Sequence, residues 1–230
     1  ADKAIPLAGV RKIIAERMQQ SIQQIPHFLI YMDVDMTRAE ALRQSLNPRH
    51  PEPRAKVSVT ALIVKAIAGA LRQYPLLNSH FVNDTIYQFN QINVGVAVAL
   101  EGGLIVPVIK NADQKSIFQI GDDLAEISAR ARQNRLTPAD IEGGTFTLSN
   151  LGMYGVDYFT AIINPPQVGI LAAGRVTRRF VPDEHDQPVA RSILTISLSA
   201  DHRVIDGAAG AQFLAAARTA LENPNLLLEA

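Results

Sequence analysis

Apolar residues recur at helical spacing over residues 10–25. Val10, Ile13, Ile14, Met18, Ile22 and Ile25 share a face with Arg17 and Ser21, which predicts a helix that Pro26 ends. Residues 27–36 predict a strand, in which Met32, Val34 and Met36 alternate with Asp33 and Asp35. Thr37-Arg38-Ala39-Glu40 has the form of a capping box opening a short helix to Leu46. The polar, proline-rich stretch 47–53 is expected to be a mobile loop.

Residues 58–74 are apolar on nearly every side, so a helix there belongs at the heart of the core. Short strands are predicted at 81–82 and 85–87 around an Asn83-Asp84 turn. Two longer ones follow at 93–100 and 104–109, joined by Glu101-Gly102-Gly103. Pro107 marks the second as an edge or bulged strand. A helix over 116–134 and a short turn of helix from Thr137-Pro138 come next. Residues 145–149 predict a strand running into the loop Asn150-Leu151-Gly152-Met153-Tyr154-Gly155. Residues 167–173 predict another strand, after Asn164-Pro165-Pro166. The polar stretch 175–190 suits a hairpin or exposed loop. Residues 192–199 alternate, with Ile193, Thr195, Ser197 and Ser199 on one side and Leu194, Ile196 and Leu198 on the other. A last helix covers 207–221 and stops before Pro224. Mixed strands and helices without strict alternation predict one α/β or α+β sandwich.

Composition narrows the function. A chain of 230 residues buries about three-quarters of its unfolded surface and needs no staples. Formal net charge is zero, which removes the electrostatic case for nucleic acid or an anionic membrane as partner. There is no cysteine, so disulfides, thiolate nucleophiles and cysteine-held metals are excluded. No apolar run approaches the ~18–20 residues of a membrane span. His27, His50, His80 and His185 sit in no spacing typical of metal ligands, and no phosphate-cradling glycine loop occurs.

Two segments could carry chemistry. Asp201-His202-Arg203-Val204-Ile205-Asp206-Gly207 lies between a strand and a helix, where a near-neutral imidazole can take a thiol or hydroxyl proton. Taken alone, such a histidine is more often structural than catalytic. In 145–152 a strand ends in Ser149 and a glycine loop, which can aim a hydroxyl into a cleft. From spacing alone, however, Ser149 and Asn150 read as turn residues.

Four blocks in order along the chain resemble the catalytic domain of dihydrolipoamide acyltransferases, the E2 family of 2-oxoacid dehydrogenase complexes. They are Val10-Arg11-Lys12-Ile13-Ile14-Ala15-Glu16-Arg17-Met18; the run from Gly102 to Ile109; Asn150-Leu151-Gly152 with Ile162-Ile163-Asn164-Pro165-Pro166-Gln167; and His202-x-x-x-Asp206-Gly207. The resemblance implies a chloramphenicol-acetyltransferase-like two-layer α/β (α+β) sandwich with a mixed sheet, filling residues 1–230 after a linker end at 1–8. Lipoyl and peripheral-subunit-binding domains are expected to be absent, and Asp2-Lys3-Ala4 is read as linker, not as a lipoylated lysine.

The same resemblance implies acyl transfer between dihydrolipoamide and coenzyme A. His202 is then the general base and Ser149 the donor to the tetrahedral oxyanion. Asp206 steadies the loop and balances Arg203 or Arg11, while Arg11 and Asn150 touch coenzyme A. No metal is implied. The lipoyl arm comes from a separate lipoyl domain, and the active site lies between chains of a homotrimer that builds a larger cubic or dodecahedral core. E1 and E3 components are reached through the absent domains. A bacterial cytoplasm or a mitochondrial matrix fits. The 150–167 region looks most like acetyl-transferring members, with branched-chain and succinyl transfer as alternatives. A free-standing antibiotic acetyltransferase lacks the N-terminal helix, and a non-catalytic scaffold is expected to lose the base.

Overall fold

The computed structural model describes residues 2–4, 6–49, 55–100 and 103–228. Most of the 47–53 loop and the Glu101-Gly102 part of the expected turn lie outside the described residues. In chain order the elements are α1 (Gly9–Gln24), β1 (His27–Asp35), α2 (Thr37–Leu46), α3 (Val59–Gln73), β2 (Ser79–Val82), β3 (Thr85–Gln88), β4 (Val94–Val96), β5 (Val98–Leu100), β6 (Gly103–Ile105) and β7 (Val108–Ile109). There follow α4 (Ile117–Arg132), α5 (Pro138–Ile141), β8 (Phe146–Asn150), β9 (Gly169–Ala173), β10 (Thr177–Pro182), β11 (Pro188–Asp201) and α6 (Gly207–Glu222).

A seven-stranded mixed sheet carries the fold, in the order β1-β11-β9-β8-β4-β7 with β10 also on β11. β4, β8 and β9 run parallel and the other pairs are antiparallel. One face buries Val34, Leu148, Leu171, Leu194, Ile196 and Leu198 against α3 and α6. α3 is the central helix, with ten buried residues as its all-round apolar pattern demands, and Ser58 caps it by accepting from the Ala61 N–H. Even Lys65 is buried there. Its ammonium donates to the carbonyls of Asp113 (3.0 Å) and Lys115 (2.8 Å), which ties α3 to the turn before α4.

The opposite face of β11 is polar and equally buried. Thr195, Ser197, Ser199 and Asp201 lie under the segment joining β8 to β9, whose Phe159 carbonyl accepts from Ser197 Oγ at 2.6 Å. This covering segment, residues 156–168, is called the strap below. β11 is therefore a fourteen-residue strand covered on both sides over its second half, longer than the alternating stretch predicts.

Three expectations are corrected. The predicted strand 93–100 is two strands, as is 104–109. β4 and β7 belong to the main sheet, whereas β5 and β6 form a separate ribbon. Pro107 has no N–H to continue a ladder, and the Val106 side chain folds onto Gly95, where a Cβ would stand 2.7 Å from Val106 Cγ1. β7 is an edge strand, as Pro107 predicts. The third correction concerns Thr37, which does not cap α2. Its hydroxyl accepts from the Ser192 N–H on β11, and Asp35 Oδ1 accepts the Thr37 N–H instead. The Asn83-Asp84 turn forms as predicted, with both residues left-handed (φ 48° and 56°).

Candidate active site

His202 stands on the turn between β11 and α6, next to an ion pair whose carboxylate is buried. Its N–H donates to the Pro26 carbonyl (3.0 Å). On one side Asp201, buried, takes three bonds from the Arg203 guanidinium (Nε 2.9 and 3.2 Å, Nη2 2.7 Å) and one from the Arg203 N–H. Those bonds raise the Arg203 pKa further above its ordinary value. Arg203 also lies over the Phe81 ring at 4.4 Å, tying the loop to the β2–β3 hairpin. The His202 imidazole rests tilted against Phe28, 4.6 Å between ring centroids, and is exposed. Among the described residues it makes no hydrogen bond, so both ring nitrogens are free for an incoming group.

Asp206 sits one turn of chain later and caps the helix that follows. Its Oδ1 accepts the Ala209 N–H at 2.8 Å, capping α6. Arg203 is taken by Asp201, and no ion pair joins Asp206 to Arg203 or Arg11 among the described residues. The closer carboxylate wins because it is buried and presents both oxygens to the guanidinium fork.

Ser149 lies near the end of β8 and lines a cleft of about 440 Å³. The cleft is walled by the N-terminal turn of α3 (Ser58, Thr60), by α4 (Ser128, Arg132) and by the β5–β6 ribbon. Asn150 beside it is committed to structure. Its amide nitrogen donates to Thr60 Oγ1 (3.1 Å) and its oxygen accepts the Gly152 N–H (2.9 Å), which shapes the loop after β8. Arg11 is exposed on α1, one turn before Ile14, whose Cδ1 approaches the ribbon at Gly103.

One chain does not bring Ser149 and His202 together. Ser149 is opposite Ala172, and Ala172 is opposite Ser197, five residues short of His202. At about 3.4 Å per residue and about 4.8 Å between strands, the two Cα atoms are roughly 20 Å apart, at opposite ends of the sheet. Among the described residues no group of three or more His, Cys, Asp or Glu gathers as metal ligands, and no helix is long and apolar enough to cross a membrane. Sequence reasoning missed the roles of Asp201, Ser21 and His27. Asp201 and His27 gave a signal only in standing next to His202 and Pro26, and Ser21 only in lying on the apolar face of 10–25.

Residues 1–229 match the family model described as 2-oxoacid dehydrogenases acyltransferase (catalytic domain). The dihydrolipoyllysine-residue acetyltransferase component of the pyruvate dehydrogenase complex of Rickettsia bellii is 42% identical over 224 residues, 97% of this chain and 53% of its own length. A mitochondrial counterpart from Arabidopsis thaliana is 44% identical, over 97% of this chain and 42% of its own length. The chain thus spans about half the length of the curated relatives it matches. Two solved structures superpose with TM-scores of 0.93 at 32% identity, covering 98% of this chain and 93% of theirs. One concerns the role of a serine, a histidine and an asparagine in the catalytic mechanism of Azotobacter vinelandii dihydrolipoamide acetyltransferase, and the other is the cubic core of the pyruvate dehydrogenase multienzyme complex. Chloramphenicol acetyltransferase matches at TM-score 0.58 and 17% identity, over 93% of this chain and 94% of its own, and shares the fold alone.

Proposed function

The chain belongs to the acyltransferase catalytic-domain family of 2-oxoacid dehydrogenases, and from that premise we propose that it moves an acetyl group between dihydrolipoamide and coenzyme A. The carrying observation is the opposed placement of an unpartnered, rigidly held His202 and a cleft-facing Ser149, which a second copy of the chain can join. His202 removes the proton from the attacking thiol, and the thiolate adds to the thioester carbonyl. The Ser149 hydroxyl donates to the oxyanion, worth about 10²–10³ in rate. Collapse expels the other thiolate, which recovers the proton from the imidazolium. No acyl-enzyme is needed, because both thiols meet in one ternary complex.

In the solved structure from Azotobacter vinelandii, the named histidine and asparagine are four positions apart, as His202 and Asp206 are here. This parallel supports His202 as base, with an acid in place of the amide. Arg11 and Asn150 are the proposed coenzyme A contacts. The chain works as a homotrimer in a larger cubic or dodecahedral core, taking acyl groups from lipoyl domains. It serves a complex whose E1 and E3 components bind elsewhere, in a bacterial cytoplasm or a mitochondrial matrix. Relatives named for pyruvate dehydrogenase favour acetyl over succinyl or branched acyl groups.

The test is transfer from acetyl-CoA, succinyl-CoA and isobutyryl-CoA to free dihydrolipoamide. Acetyl-CoA is expected far ahead. No turnover with any donor, from a folded oligomer, leaves a scaffold without catalysis.

A further inference from the structure

Ile163, in the middle of the strap, is held by both its main-chain groups. Its carbonyl accepts from the buried Ser21 Oγ of α1 at 2.7 Å, and its N–H donates to His27 Nε2 at 3.1 Å. The other ring nitrogen of His27, Nδ1, lies 2.8 Å from the Ile25 carbonyl. A carbonyl only accepts and an amide N–H only donates. The two contacts together therefore admit one form of the ring, the neutral imidazole with its proton on Nδ1. The Ile163 side chain closes the joint, packed with Ile25 and Ile170 in a small core of its own.

The corner between α1 and β1 that makes this joint also holds His202. Pro26, next to His27, accepts the His202 N–H, and Phe28, on its other side, carries the His202 ring. Across the sheet His27 stands opposite Asp201, the residue before His202. Residues 21–28 therefore grip the strap with one side and the His202 turn with the other.

We propose that His27 is a positioning residue for acyl transfer: its ring fastens the strap to the corner that fixes His202. Among the described residues the Ile163 N–H has no other acceptor. A displacement of about 1 Å at a reacting group lowers turnover by about 10²-fold, so a loosened corner is felt in kcat.

This inference rests on His202 as base, and one of its two measurements is independent of that role. On the assembled protein, kcat and KM for acetyl transfer are measured for wild type and His27→Gln. Alongside, hydrogen exchange is followed at the peptide containing Ile163. Wild type is expected to protect the Ile163 amide. The variant should have a roughly tenfold lower kcat, an unchanged KM and weak protection. An Ile163 amide that exchanges freely in wild type overturns the proposal, as does a variant with wild-type kcat and protection. If His27→Gln fails to assemble, wild-type exchange alone decides. Absent turnover in wild type refutes the acyltransfer reading, while the exchange result still judges the joint.

Discussion

His202 leaves the sheet five residues beyond Ser197, and Ser149 lies two strands across from Ser197 in register, so one chain presents its imidazole and its hydroxyl at opposite ends. A site built from both needs two chains, and that makes complementation the decisive experiment. His202→Ala and Ser149→Ala assemblies are each expected to fall by about 10² or more in kcat. Unfolded together and reassembled in equal amounts, they should recover about a quarter of wild-type turnover, since one interface in four joins an intact serine to an intact histidine. Mixtures no more active than their parents would place both groups in a single chain.

Asp206 ends its role at the α6 N-terminus if the cap is all it supplies. Asp206→Asn keeps a capping oxygen and should leave Tm nearly unchanged. Asp206→Ala loses about 1 kcal/mol, or roughly 2–4 °C. Equal losses in both variants, read by thermal unfolding, would assign the effect to the negative charge instead.

Two glycines near the Ser149 loop are required for different reasons. A Cβ at Gly174 would stand 1.9 Å from the Asp157 carbonyl oxygen, so Gly174→Ala must push the start of the strap off the sheet. Gly155 has open space but a φ of +78°. Gly155→Ala should lose about 1–2 kcal/mol through backbone conformation alone, and Gly174→Ala at least about 3 kcal/mol. Denaturation midpoints check the order, and the reverse order would contradict it.

His80 gives the fold a measurable pH dependence. Burial lowers its pKa, and the hydrogen bond to the Gly144 carbonyl only partly opposes that. As pH falls, the unfolded chain therefore takes up the proton first. The stability tied to neutral His80 is complete above about pH 6.5 and declines below it. His80→Gln should narrow the gap between denaturation midpoints measured at about pH 7 and pH 5. An unchanged gap would show that other groups set it.

Most of the helices were legible because their signals are local. Ser58 and Ser116 sit where their caps form, and the apolar surround of 59–73 has only one destination, the core. The strand breaks at Ala97 and Val106 were not legible, because they depend on Val106 meeting a residue without a side chain eleven positions earlier. Thr37 reads as a cap until β11 comes within reach of its hydroxyl. The site divides the same way. The His202 turn and Ser149 stand out as motif positions. The preference of Arg203 for Asp201 over Asp206 is decided by which carboxylate is buried, and the joint at Ile163 links residues 136 and 142 positions apart.

β1 pairs with β11 along its whole length, from His27 opposite Asp201 to Asp35 opposite Ile193. During translation β1 therefore has no partner until β11, the last strand of the sheet, has left the ribosome. Long-range pairing of this kind is slow, and it leaves an unpaired edge exposed meanwhile. A nascent chain halted before residue 188 has no partner for β1 and nothing to join β1 to β9, so the sheet cannot close until β11 is made. A stop before β11 therefore strands β1 apart from β9, β8, β4 and β7, and His202 arrives only with the strand that joins them.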